Sequence, residues 1–130
     1  TTDVQDEIVS KFLHFYQKDI AIYFPELKIE ANKNYISFLV LRNLAIANIF
    51  IAERENENAF VEIDYTIAQY RDYKVGKFIF EREKDYLLSK GIKNIIYKKV
   101  SNKTHEHFLH INGFTQGMFK GNICYIKKLN

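Results

Sequence analysis

The spacing of apolar and polar positions along this chain predicts alternating β and α elements in a single α/β domain. From Phe60 to Ile67 the period is two: Val61, Ile63, Tyr65 and Ile67 point one way, and Phe60, Glu62, Asp64 and Thr66 the other. After Arg71-Asp72-Tyr73-Lys74 the period becomes helical. The spacing predicts a helix opening at Val75-Gly76, running over 75–90 and closed by Gly91, a residue suited to the left-handed turn after a helix. The strand over 59–69 is expected to be central. A second strand over 92–100 should lie parallel beside it, because a helix connects the two.

Upstream, Val4, Ile8, Val9, Phe12, Leu13 and Tyr16 recur at helical spacing behind Thr2-Asp3, a plausible N-cap. This helix is expected to end near Lys18. A shorter one over Asp19–Phe24 stops before Pro25, since the residue preceding a proline disfavours the helical region. Asn34–Leu41 and Ala45–Glu53 read as strands joined by Arg42-Asn43-Leu44, and a polar turn over 53–58 leads into the 59–69 strand. That order makes three antiparallel strands in sequence. Downstream, 102–111 reads as a helix with Phe108, Leu109 and Ile111 apolar. Gly113-Phe114 opens a strand, and Lys120-Gly121-Asn122 turns it into the last, Ile123–Leu129.

Composition narrows this picture. At 130 residues the chain is long enough for one core, so residues 1–130 are read as one domain. No apolar run approaches the ~20 residues that span a bilayer, and no signal peptide is visible. The single Cys124 excludes an internal disulfide and suits a reducing compartment, so the expected location is cytoplasmic. The sequence lacks an initiator Met, which fits either a trimmed or processed start or a domain excised from a longer polypeptide.

Charge is uneven: residues 1–65 carry a net −5 and residues 66–130 a net +8. A basic half suits an anionic ligand. Nucleic acid is not the expected one, because no helix-turn-helix, zinc-finger or aromatic RNA-binding signature accompanies the charge. Nor do His105, His107 and His110 make a metal set: residues two apart do not share a helix face, and no cysteines or paired carboxylates complete one. The better place for an anion is the strand-to-helix loop. Unpaired amides and the helix dipole suit a phosphate there, and Arg71, Lys74 and Lys77 add charge.

Arg71-Asp72-Tyr73-Lys74-Val75-Gly76 resembles the Arg/Gln-x-x-Gly-x-Gly/Ala loop of the GCN5-related N-acetyltransferase (GNAT) superfamily, and Asn102 with Gly113-Phe114 is similar to a later family segment. The resemblance covers roughly residues 35 to 130. It implies a GNAT-like fold, a central mixed sheet with helices on both faces, and an acyl-CoA (acetyl-CoA above all) as co-substrate with an amine as acceptor. Thr66 and Ile67 would then offer main-chain groups to the pantetheine arm. Asp72, Tyr73, Lys74, Val75, Gly76 and Lys77 would face the diphosphate with Arg71, and Asn102 would complete the coenzyme A contacts. Phe60-Val61-Glu62-Ile63 resembles the start of this strand in histone-type members, which makes Glu62 the candidate base and Asp64, expected on the same face, its understudy. Tyr16, Tyr23 and Phe24 would line the acceptor end. Two departures stand out: Lys74 replaces the loop's first glycine, and Leu109 occupies the place of a tyrosine acid, with Tyr97 as a substitute. A non-catalytic acyl-CoA-sensing or interaction module is the other reading that these departures support.

Overall fold

The computed structural model describes residues 7–25, 27–30, 32–42, 45–98, 103–119 and 121–129. Its elements run α1 (Glu7–Phe15), α2 (Gln17–Tyr23), β1 (Tyr35–Arg42), β2 (Ala45–Glu55), β3 (Asn58–Thr66), α3 (Tyr73–Ser89), β4 (Asn94–Tyr97), α4 (Lys103–Ile111), β5 (Thr115–Phe119) and β6 (Asn122–Lys128). The six strands form one sheet in the order β1-β2-β3-β4-β6-β5. All neighbours are antiparallel except β3 and β4, which are parallel with α3 between them in sequence. The expected mixed α/β sheet is present, and the strand expected over 59–69 is central but ends at Thr66, because Ala68–Tyr70 coils into a 3-10 turn.

Helices cover both faces. On one, Val75, Ile79 and Leu87 of α3 and Leu109 of α4 pack on Phe38, Phe50, Ile95 and Tyr97. On the other, Val9 and Phe12 of α1 and Ile20 of α2 pack on Ile49, Ile51, Ile63 and Tyr65. Cys124 is buried with Phe60 and Ile96 in a small third cluster.

Several boundaries move, each for a local reason. The first helix breaks at Tyr16, so α2 starts at Gln17 rather than Asp19. β2 extends to Glu55, and the turn tightens to Asn56-Glu57. Asn56 takes a positive φ of 57°, which asparagine tolerates better than most residues. The strand expected over 92–100 is shorter at its start: Ile92 closes the end of α3 by donating to the Leu87 carbonyl, and Lys93 donates to that of Glu57. Gly91, at φ +84°, makes the turn between them. Ile8 and Ile111 were expected on apolar faces, yet they are 54% and 64% exposed because each helix turns Val9 or Leu109 inward instead. Asn102, the loop Asn43-Leu44 and the residues 99–101 lie outside the described residues.

One irregularity decides which face each later residue of β3 presents. Between Ile51 and Ala52 the β2–β3 register slips: Ala52 faces Val61 and Ile51 faces Ile63, so Glu62 is an extra residue in β3. Before this bulge Ala59 and Val61 face α3; after it Ile63, Tyr65 and Ile67 face α1 and α2. The strict alternation over 60–67 is therefore overturned at its midpoint.

Candidate functional site

The β3–β4 pairing is brief. Asn58, Ala59 and Phe60 pair with Asn94, Ile95 and Ile96, after which the strands diverge just where the bulge begins. A cleft of about 300 Å³ opens at this divergence. Asp64 and Thr66 of β3, Ile95 and Tyr97 of β4, and Gly76, Ile79, Phe80 and Glu83 of α3 line it, together with Tyr23 at the end of α2 and Phe24 just after it. Gly76, Ile79, Phe80 and Glu83 recur at helical spacing, so one stripe of α3 forms a wall. Tyr16, expected with Tyr23 and Phe24, instead packs against Phe12 and Tyr65 between α1 and the sheet.

The bulge separates the two carboxylates that the sequence placed together. Glu62 lies toward Lys33, Glu53 and Lys98, and Lys98 covers Phe60 on the face opposite α3. Glu62 is half-buried, and desolvation pushes its carboxyl above the usual range; Lys33 and Lys98 oppose that shift, while Glu53 and Glu30 add to it. Asp64 turns to the α3 side, where Asn48 Nδ2 donates to its Oδ1 at 2.8 Å and the Tyr97 hydroxyl approaches its Oδ2 at 3.4 Å. The expectation that Asp64 shares a face with Glu62 is thus corrected: one extra residue in a strand reverses every later side chain.

The loop after β3 is more tightly held than its sequence suggests. Arg71 donates from Nε to the Thr66 carbonyl at 2.7 Å and from Nη2 to Asp19 Oδ2 at 2.6 Å. Its guanidinium also lies over the rings of Tyr23 and Tyr65. Tyr65 in turn donates to Asp19 at 2.5 Å. These two hydrogen bonds, the Tyr65 one first, lower the Asp19 carboxyl below its ordinary range. Burial and Asp19 raise the Tyr65 phenol. Arg71 is therefore a strap from α2 to the end of β3, and the Thr66 carbonyl is already occupied by it. Ile67 is buried against α1 and α2, and its amide donates to the Ala47 carbonyl at 3.0 Å.

α3 begins at Tyr73, two residues before the expected start, because Asp72 caps it: its Oδ1 accepts from the Val75 amide at 3.0 Å. The Gly76 amide bonds the Asp72 carbonyl at 2.8 Å. Tyr73 and Lys74 keep the first-turn amides that have no helix carbonyl behind them. Lys74 and Lys77 are exposed nearby. Gly76 lines the cleft, and a Cβ built on it meets nothing within 4 Å, so the helix surface there is open to a group approaching the backbone. Open space over Gly76, first-turn amides and two lysines fit a diphosphate; the Asp72 carboxylate opposes one.

Sequence reasoning missed Glu83 and Asn48, both buried polar residues. Glu83 sits amid Glu81-Arg82-Glu83-Lys84-Asp85 and reads as part of a solvated run. The available signal was its helical spacing from Gly76, Ile79 and Phe80. Leu109 is fully buried in the core beneath α4.

This architecture, a mixed sheet whose central parallel pair parts beside the start of a crossover helix, is the GNAT acyl-CoA N-acyltransferase fold. No protein-family model and no curated protein matches the chain in sequence. Among solved structures the chain is similar to Tetrahymena GCN5 at TM-score 0.70 and 12% identity, covering 99% of this chain and 93% of that one. It is also similar to a GNAT-family acetyltransferase of Staphylococcus aureus Mu50, at TM-score 0.65 and 16% identity over 96% of each chain. A third similar structure is an aminoglycoside 6'-N-acetyltransferase complexed with coenzyme A, at TM-score 0.64 and 10% identity, covering 99% of this chain and 95% of that one. Among the described residues no helix is long and apolar enough to cross a membrane.

Proposed function

We propose that this domain transfers an acyl group from an acyl-CoA, acetyl-CoA first, to an amine, with Glu62 as the general base. The observation that carries the reading is the cleft where β3 and β4 part, running along α3 from Gly76 to Glu83. The coenzyme's diphosphate would meet the amides of Tyr73 and Lys74, the open face of Gly76, and the charges of Lys74 and Lys77. The thioester supplies an activated acyl carbon. Glu62 removes the proton that would otherwise keep the acceptor an unreactive ammonium. Its raised carboxyl pKa brings it nearer the operating pH, which suits a base.

Gly76→Ala tests the site with two signals of opposite sign. Because a Cβ meets nothing there, the variant is expected to fold and to gain about 0.5–1 kcal/mol of helix stability. The same methyl occupies the face offered to the diphosphate, so coenzyme A affinity measured by calorimetry should fall, and wild-type affinity should fall as salt rises. Unchanged coenzyme A affinity in Gly76→Ala would remove the diphosphate from this loop.

A second reading, a non-catalytic acyl-CoA-binding or regulatory module, draws on the burial of Leu109 in the core, which leaves the usual acid position without a proton. Coenzyme A binding without turnover on a broad amine panel would favour that module.

A further inference from the structure

The deep end of the cleft holds a group that the reading above does not use. Glu83 lies seven residues along α3 from Gly76, about 10 Å up the helix axis from the diphosphate end. It lines the cleft, is only 3% exposed, and its Oε2 has no hydrogen-bond partner. Asp64 faces it from β3, Asn48 from β2 and Tyr97 from β4. Asn48 Oδ1 is likewise buried without a partner. No cation is paired with Glu83 among the described residues.

A buried carboxyl that faces a second carboxyl, with no countercation among the described residues, resists ionising. Burial first, and then the neighbouring Asp64 charge and its hydrogen bond, push Glu83 well above the ordinary carboxylate range, while Asn48 acts in the opposite sense. Tyr97, whose hydroxyl points to Asp64, is also raised, by burial and by the two carboxyls. Glu83 is thus an acid of raised proton affinity in a cleft whose other lining carboxyl is Asp64, while Glu62 lies outside that lining, on the opposite face of β3. Glu83 in its apolar cleft and Glu62 among Lys33, Lys98 and Glu53 are held in different environments, as the acid and the base of one reaction are.

We propose that Glu83 is the proton donor of this cleft, protonating the departing thiolate from the α3 face while Glu62 deprotonates the amine from the other. The inference rests on the acyl-transfer reading and gives the reaction an acid where Leu109 offers none. The amine nitrogen bonds to the acyl carbon and the C–S bond breaks. The sulfur takes its proton from Glu83. Of the two protons that the ammonium nitrogen loses on becoming an amide, one reloads Glu83 and one leaves to solvent.

Infrared difference spectra of wild type against Glu83→Gln should show a protonated carboxyl at neutral pH, shifted when coenzyme A with its free thiol is added. Steady-state acyl transfer by Glu83→Gln should fall ~100-fold and lose the alkaline limb of the wild-type pH profile, where the acid ionises. A purely structural role moves neither the band nor the limb. Should Glu83→Gln unfold, the wild-type pH profile and isotope-edited spectra of labelled glutamate still decide the matter. An ionised Glu83 at neutrality, or an unchanged turnover in Glu83→Gln, overturns the inference alone. Coenzyme A binding without turnover on any amine overturns the acyl-transfer reading and the inference together.

Discussion

Glu62→Gln is expected to lower acyl transfer by ~100- to 10,000-fold, the range that removal of a general base typically costs. The substitution keeps the shape of a half-buried side chain, so coenzyme A affinity should stay near that of wild type. The pH dependence follows from the direction of the shift. Desolvation raises the Glu62 carboxyl, so wild-type activity climbs as pH rises through that raised value and the base ionises. In Glu62→Gln this climb disappears. Activity then returns only at alkaline pH, where the amine is neutral without help, so the ratio of the two rates narrows from roughly pH 6 to 9. Equal activity of the two proteins over that span would take Glu62 out of the mechanism and move the search to a backbone-held water or to Asp64.

The largest stability effect is expected from Phe50→Ala. Phe50 is fully buried on β2, and its ring stacks on Phe38 with centroids 5.0 Å apart; Phe38 in turn meets Tyr86 of α3 at 4.5 Å. Truncation leaves a cavity under the helix that carries Gly76 and Glu83, at a cost of about 3–5 kcal/mol read from urea unfolding midpoints. Phe15→Ala provides the contrast: Phe15 is 78% exposed, and its loss should change stability by less than about 0.5 kcal/mol. Equal losses in the two variants would contradict the packing described for this face.

Much of the fold was legible because its causes are local. Strand and helix periods, Pro25 after α2 and Gly91 after α3 act within a few residues. They gave the three antiparallel strands and the β3–α3–β4 order. One local cause was overlooked, the Asp72 side chain that caps α3 and lengthens it; where packing decides, Ile8 and Ile111 face outward because neighbouring residues reach the core first. The loop around Arg71 was legible as a cationic turn into a helix. Its engagement with Asp19 was not, because the partner lies 52 positions away in the sequence.

By itself the sequence determined the type and order of the elements, the central place of the strand after residue 58 and the short cationic turn into α3. Each of these follows from side-chain period and backbone preference within one element. Tertiary structure alone decided which face each carboxyl occupies. An extra residue in β3 is invisible to a period-two pattern, because it is defined only against the register of β2, and it sends Asp64 to α3 while leaving Glu62 on the other face. The charged run over 81–85 likewise does not reveal which acid is buried. The docking of α3 on the sheet selects Glu83, and low polarity together with a facing carboxyl then raises its proton affinity.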